Sequence, residues 1–250
     1  MHVSILITMF LTGLILGFIG AGGAGFIISL LTILFGVSIH TALATALTAM
    51  IFSSFSGAVS HYREGNVSIK AGITTGIIGA AGAWAGSHVS AHIASGELKW
   101  LTAGMLMFSA FLLWLRMFLL QKQSIQAKTL PFGPRFVTRS LLLGIVTGAL
   151  SGMFGIGSTP FIQLGLMILL GLSVRQAAGT TMMVIIPIAI GGGLASFQQG
   201  TLDLGLLVEV VIGTMSGAYI GAKFTNRAPV SLLKSSMIAV PIVASLLLIL

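Results

Sequence analysis

Apolar runs about as long as a membrane span recur along nearly the whole chain, separated by short polar stretches. A bilayer core needs about 20 apolar residues per crossing helix, so the pattern reads as a series of membrane-spanning helices. Strands of about 10 residues with alternating polarity, the mark of a membrane β-barrel, do not recur. One feature interrupts the apolar pattern. The stretch GFIGAGGAGFIIS, from Gly17 to Ser29, sets Gly17, Gly20, Gly22, Gly23 and Gly25 inside an apolar run. Each glycine in a helix interior costs roughly 1 kcal/mol relative to alanine.

The same interruption occurs twice. Shifted by 135 residues, TGLILGFIGAGG (12–23) falls on TGALSGMFGIGS (147–158) without a gap. Gly13, Gly17, Gly20 and Gly22 meet Gly148, Gly152, Gly155 and Gly157. The diagonal continues: Gly36 meets Gly171, ALAT (42–45) meets AAGT (177–180), Gly57 meets Gly192, and Gly82 and Gly86 meet Gly217 and Gly221. The chain is therefore two homologous halves. The first repeat covers 1–120, a polar linker covers 121–136, and the second repeat covers 137–250. Each half reads as a glycine-broken apolar segment (about 3–35 and 138–170) followed by three spans. These lie at about 41–62, 69–92 and 98–119, then at about 176–197, 204–224 and 231–250.

The positive charges choose between two topologies. Basic loops stay cytoplasmic, so the linker with Lys122, Lys128 and Arg135 is set inside. If each broken segment crosses once, seven of the twelve basic residues lie on that side; if it enters and returns as a hairpin, eleven do. The second choice inverts the two halves. It puts the linker in the cytoplasm and both termini on the outer side of the plasma membrane. The expected fold is an all-α polytopic membrane protein of two inverted repeats, each a helical hairpin plus three spans. Inverted repeats with broken helices characterise secondary transporters, whose site lies between the repeats.

The glycines then mark hairpin tips. Glycine permits the turn and lets other backbones approach closely. The returning arms begin near Ala24 and near Thr159–Pro160, and their free N–H groups and dipole ends favour an anion. Gly22, Gly23, Ala24, Gly157, Ser158 and Thr159 are therefore candidate substrate contacts. Gly13, Gly17, Gly148 and Gly152, at four-residue spacing, read instead as packing surfaces. Thr45 and Thr180 are repeat-related and begin the span after each hairpin. They either bind substrate or bond a carbonyl of their own helix; Thr48 and Thr181 are weaker candidates. Gln163 lies one turn past the second tip.

Composition narrows the chemistry. The chain is 56% hydrophobic and 6% charged with mean hydropathy +1.10, against about 25% charged residues in soluble domains. The net charge of +8 is explained by loop topology, so a nucleic-acid partner is not expected. There is no cysteine, hence no disulfide and no thiolate chemistry. No P-loop, acid–base pair or metal-ligand cluster stands out, so neither enzymatic activity nor a cofactor is expected. The first residues, MHVSILITMF, lack a basic n-region and read as the first helix, not a signal peptide.

Three residues are candidates for gating or ion coupling. His61 ends a span beside Arg63 and Glu64, as an interfacial residue or a proton-linked gate. Arg175 anchors the topology or attracts anions. Glu209, within a span but near its outer end, couples protons or reaches the interface. His88, His92, Trp84, Trp100, Trp114 and Tyr62 fit interfacial positions.

The stretches GLILGFIGAGGAGFIISLL (13–31), ALATALTAMIFSSFSGAVSHYREGNV (42–67), GALSGMFGIGSTPFIQL (148–164) and AAGTTMMVIIP (177–187) resemble the sulfite exporter TauE/SafE family along nearly the whole chain. The resemblance implies a multi-pass transporter, probable exporter in direction, of sulfite or small organosulfonates such as sulfoacetate. The family's pattern is three glycines, an aliphatic residue and proline. Here the first half reads Gly22-Gly23-Ala24 without the proline, and the second reads Gly157-Ser158-Thr159 with Pro160. Ser158 and Thr159 offer hydroxyl donors, or signal a different anion. An anion channel, a permease for another small anion, and a non-transporting membrane partner are the competing readings. The glycine-rich faces serve internal packing or a homodimer equally well.

Overall fold

The computed structural model describes residues 2–19, 24–119, 131, 133–155, 158–225 and 227–250. Among them the helices are α1 (His2–Ile19), α2 (Ala24–Leu34), α3 (Ile39–Arg63), α4 (Ile69–Ser90) and α5 (Ser95–Leu119). The second half supplies α6 (Pro134–Phe154), α7 (Thr159–Leu169), α8 (Val174–Gln198), α9 (Leu204–Lys223) and α10 (Val230–Ile249). The returning arms start at Ala24 and Thr159, where the glycine runs place them, and α2 maps onto α7 and α3 onto α8 at the shift of 135 residues. Six helices (α3, α5, α6, α8, α9 and α10) are long and apolar enough to cross a membrane.

Helix direction follows from which residues face one another. Gly13 and Gly17 of α1 lie against Thr214 and Ala218 of α9, so these two helices run in parallel. The Ser56 hydroxyl of α3 donates to Met215 O at 2.9 Å and Arg63 Nη1 to the Tyr219 hydroxyl at 2.9 Å, so α3 also runs with α9. Thus α1 and α3 share one direction, and α2 between them must run back. Its end is tied to the start of α3 by Val37 N donating to Leu31 O. The second half repeats this. Gly144, Gly148 and Gly152 of α6 lie against Thr75, Gly79 and Ala83 of α4, and Gly72, Gly76 and Gly79 of α4 against Met183, Pro187 and Ile188 of α8. Hence α6 and α8 share a direction and α7 returns.

The repeat-related central pair behaves differently. Leu47 of α3 faces Gly192 of α8, Gly57 faces Met182, and His61 faces Gly179, so α3 and α8 pass in opposite directions. Around this pair the repeats interlock, α4 on α6 and α1 on α9. The seams are tight because they are made of glycine. A Cβ at Gly148 or Gly152 would strike the carbonyl oxygen of Gly79 or Ala83. With no hydrophobic force between helices in lipid, such close approach supplies the packing. These glycines pack within the chain.

The outer surface is apolar. Val3, Ile7, Leu11 and Ile15 form an exposed stripe along α1, opposite its glycine face, and Trp84, Trp100, Trp114 and Tyr62 are also exposed. On α8 a capping box joins Ser173 Oγ to Gln176 N and Ser173 N to Gln176 Oε1. Ser173→Ala is expected to cost about 1 kcal/mol, measured as an earlier midpoint in a detergent-denaturation titration.

Candidate functional site

The second hairpin turns on two left-handed residues. Gly155, with φ +63°, caps α6, and Ser158, with φ +39°, precedes α7. Left-handed φ is uncommon outside glycine and stores local strain. Thr159 and Pro160 then open α7. Proline at the first turn forfeits an N–H that has no helical partner anyway. Ser158 and Thr159 are 1% and 2% exposed, yet Ser158 Oγ and Thr159 Oγ1 have no hydrogen-bond partner. The Ser158 side chain does not cap the helix that it precedes. A buried polar group left unpaired costs about 1–3 kcal/mol, so two adjacent ones at a helix N-terminus call for a ligand.

The first hairpin tip lies across from them. Gln163 Nε2 donates to Ile19 O at 3.2 Å, joining α7 to the end of α1. Thr159, Pro160 and Gln163 line a cavity of about 360 Å³ with Ile19, Gly25 and Phe26; Leu106 of α5 and Met237, Val240, Pro241 and Ala244 of α10 close it. Apolar walls with a few placed polar groups are typical of small-ligand sites. The N-termini of both α2 and α7 reach this cavity, so two positive dipole ends converge on it. Ala24, buried at 0% exposure, is the first residue of α2. Gly22, Gly23 and Gly157 lie outside the described residues.

The other candidates lie elsewhere. Because α3 and α8 run oppositely, repeat-related Thr45 and Thr180 sit at opposite ends of that pair, and neither lines the cavity between the tips. The Thr180 hydroxyl accepts from Ser68 N at 2.9 Å, tying α8 to the α3–α4 loop. Thr45 is fully buried and its hydroxyl has no partner. Thr48 and Thr181 donate to Ala44 O and Ala177 O, one turn back in their own helices. His61 is at 0% exposure rather than at an interface, with Nε2 3.1 Å from Gly17 O. Arg175 Nη2 donates to Ala228 O at 3.2 Å, which fixes the α9–α10 connection. Glu209 is half-buried on α9, away from both hairpin tips.

A second cavity, of about 320 Å³, opens at the end of the bundle where α3 begins. His40, Ser87, Ser90, Ser196, Gln199 and Thr201 give it polar walls. The sequence reading passed over all six. The signal was present in Ser87, Ser90 and Ser196, hydroxyls near the ends of otherwise small-residue or apolar spans.

The profile of the sulfite exporter TauE/SafE family matches residues 5–248, almost the entire chain. The chain belongs to the TauE/SafE family. Its relatives are described as transporters. It is 54% identical over 245 residues to the probable membrane transporter protein YdhB of Bacillus subtilis, covering 98% of each chain. It is 26% identical over 259 residues to YjnA of the same organism, also a probable membrane transporter protein, covering 96% of this chain and 98% of the relative. A probable membrane transporter protein of Xylella fastidiosa is 26% identical over 218 residues, covering 87% and 82%. No solved structure matches the chain. This TauE/SafE protein is thus a multi-pass membrane transporter, and the cavity between its hairpin tips is where its cargo is to be sought.

Proposed function

We propose that the protein is a secondary transporter that exports a small sulfur oxyanion, sulfite or a small organosulfonate such as sulfoacetate, across the plasma membrane. The observation that carries this reading is the pair of buried, unpartnered hydroxyls of Ser158 and Thr159 at the start of α7, with Thr159 facing the first hairpin tip. Hydroxyl donors and helix N-termini both favour an anion over a cation. The apolar walls suit a compact anion with a carbon tail better than a fully hydrated one.

Opposite running of α3 and α8 supports repeats inverted in the membrane, with the linker cytoplasmic, both termini outside and the site near the repeat interface. With that placement the protein needs no fuel for export. An inside-negative potential of 100 mV favours anion exit by about 2.3 kcal/mol per charge. Gln163, Ala24 and the tip glycines Gly22, Gly23 and Gly157 complete the proposed anion contacts.

Flux from proteoliposomes loaded with sulfite, sulfoacetate or chloride tests the proposal. The expected result is saturable efflux of one sulfur oxyanion, slowed by the same anion outside. Efflux linear in concentration would instead indicate a channel, and no efflux of any sulfur oxyanion would refute the substrate class.

A further inference from the structure

The repeat allows each end of the α3–α8 pair to be compared with the other, position by position at the shift of 135 residues. The two ends are related in sequence but are not in the same state. At the end where α3 finishes, four hydrogen bonds draw the elements together. His61 Nε2 meets Gly17 O at 3.1 Å, and Ser68 N donates to the Thr180 hydroxyl at 2.9 Å. The Thr225 hydroxyl donates to Phe18 O at 2.8 Å, and Arg175 Nη2 to Ala228 O at 3.2 Å. Gly179, lacking a side chain, lets the Asn66 carbonyl press against α8; a Cβ there would strike it and would lie 2.9 Å from His61 Cβ.

None of the counterparts at the other end is engaged in the same way. Ser196 takes the place of His61, and its hydroxyl donates to Gly192 O of its own helix at 3.0 Å. Thr45 takes the place of Thr180, and its buried hydroxyl has no partner. Ser90, His40 and Ala44 take the places of Thr225, Arg175 and Gly179, and all three line the open cavity.

We infer that this structure is one of two access states, closed at the His61 end and open at the His40 end, and that His61 and His40 are the opposing gate residues. In the other state the mirrored bonds form. Thr45 accepts from the backbone of Asp203, the counterpart of Ser68, and His40 reaches the carbonyl of Ile93, the counterpart of Ala228. The bonds around His61 and Thr180 then part. A ring at position 61 against a hydroxyl at 196, and glycine at 179 against alanine at 44, make the His61 latch the tighter of the two. That asymmetry biases the resting population toward the state seen here, and weakening it shifts the population. The inference takes alternating access from the function proposed above, but its test needs no substrate, so the two fail separately.

The chain has no cysteine, so single cysteines report without background. Ser87→Cys places a thiol in the open cavity, and Ala222→Cys places one at the repeat-related position of the closed end. Each is exposed to N-ethylmaleimide in open membrane fragments, where both faces meet reagent. The expected result is labelling of Ser87→Cys about tenfold or more faster than Ala222→Cys. Adding His61→Ser, or Gly179→Ala as a second and milder way of loosening the latch, speeds Ala222→Cys and slows Ser87→Cys. Equal rates at the two thiols, or rates unchanged by both latch variants, would overturn the inference.

Discussion

Gly152→Ala is expected to lose most of the folded protein, while Gly104→Ala is expected to be tolerated or to gain stability. In an isolated helix both changes would stabilise by about 1 kcal/mol, because glycine is the poorer helix former. The surroundings reverse the sign at one site only. A Cβ on Gly104 meets nothing within 4 Å and points away from the bundle. A Cβ on Gly152 would strike the Ala83 carbonyl and lie 2.8 Å from Ser87 N. These are backbone atoms that no rotamer change can move. Relief requires α4 and α6 to separate along a seam where Gly79, Gly144 and Gly148 are equally close. Inserting a carbon into a packed core costs about 1–3 kcal/mol when side chains can yield, and the cost here exceeds that range. The check is the monodisperse fraction on size exclusion after detergent extraction, with Gly17→Ala behaving like Gly152→Ala, because its Cβ would strike Ala218 O.

The second large effect concerns the ligand. The double variant Ser158→Ala, Thr159→Val is expected to abolish anion binding while leaving the empty protein as stable as before, or more so. Its two hydroxyls are buried without partners, so removing them relieves an unpaired-group cost of about 1–3 kcal/mol each. With an anion bound they become donors to a charged acceptor, worth about 1.5–3 kcal/mol each. Losing both donors therefore weakens binding by about 100-fold or more. Opposite movement of the two quantities separates a binding role from a structural one. A structural pair would lower the unfolding midpoint of the empty protein.

Much of the fold was legible because the repeat is gapless. Consecutive glycines break a helix wherever they fall, so the arms beginning at Ala24 and Thr159 could be read directly. Four-residue glycine spacing likewise marked the faces of α1 and α6 that now carry the seams. Linear order could not say which helices meet. His61 sits beside Arg63 and Glu64 in sequence and so reads as interfacial, but the end of α1 covers it and supplies Gly17 O. Thr45 and Thr180 looked like partners in one site because the repeat equates them. In helices that run oppositely, equated positions fall at opposite ends, and the two threonines are far apart in the bundle. The residues of the open cavity were missed for the same reason, since His40, Ser87 and Ser196 come together only when α3, α4 and α8 assemble.

The claim on which the functional reading turns is an anion held at the start of α7. The direct measurement is the thermal unfolding midpoint of purified protein with sulfite, sulfate, thiosulfate, sulfoacetate or taurine, repeated on the Ser158→Ala, Thr159→Val double variant. A rise with sulfite or one sulfonate, absent in a double variant that unfolds no earlier by itself, is the predicted result. A well-folded wild type that no oxyanion stabilises, or a double variant stabilised as fully as the wild type, would contradict it.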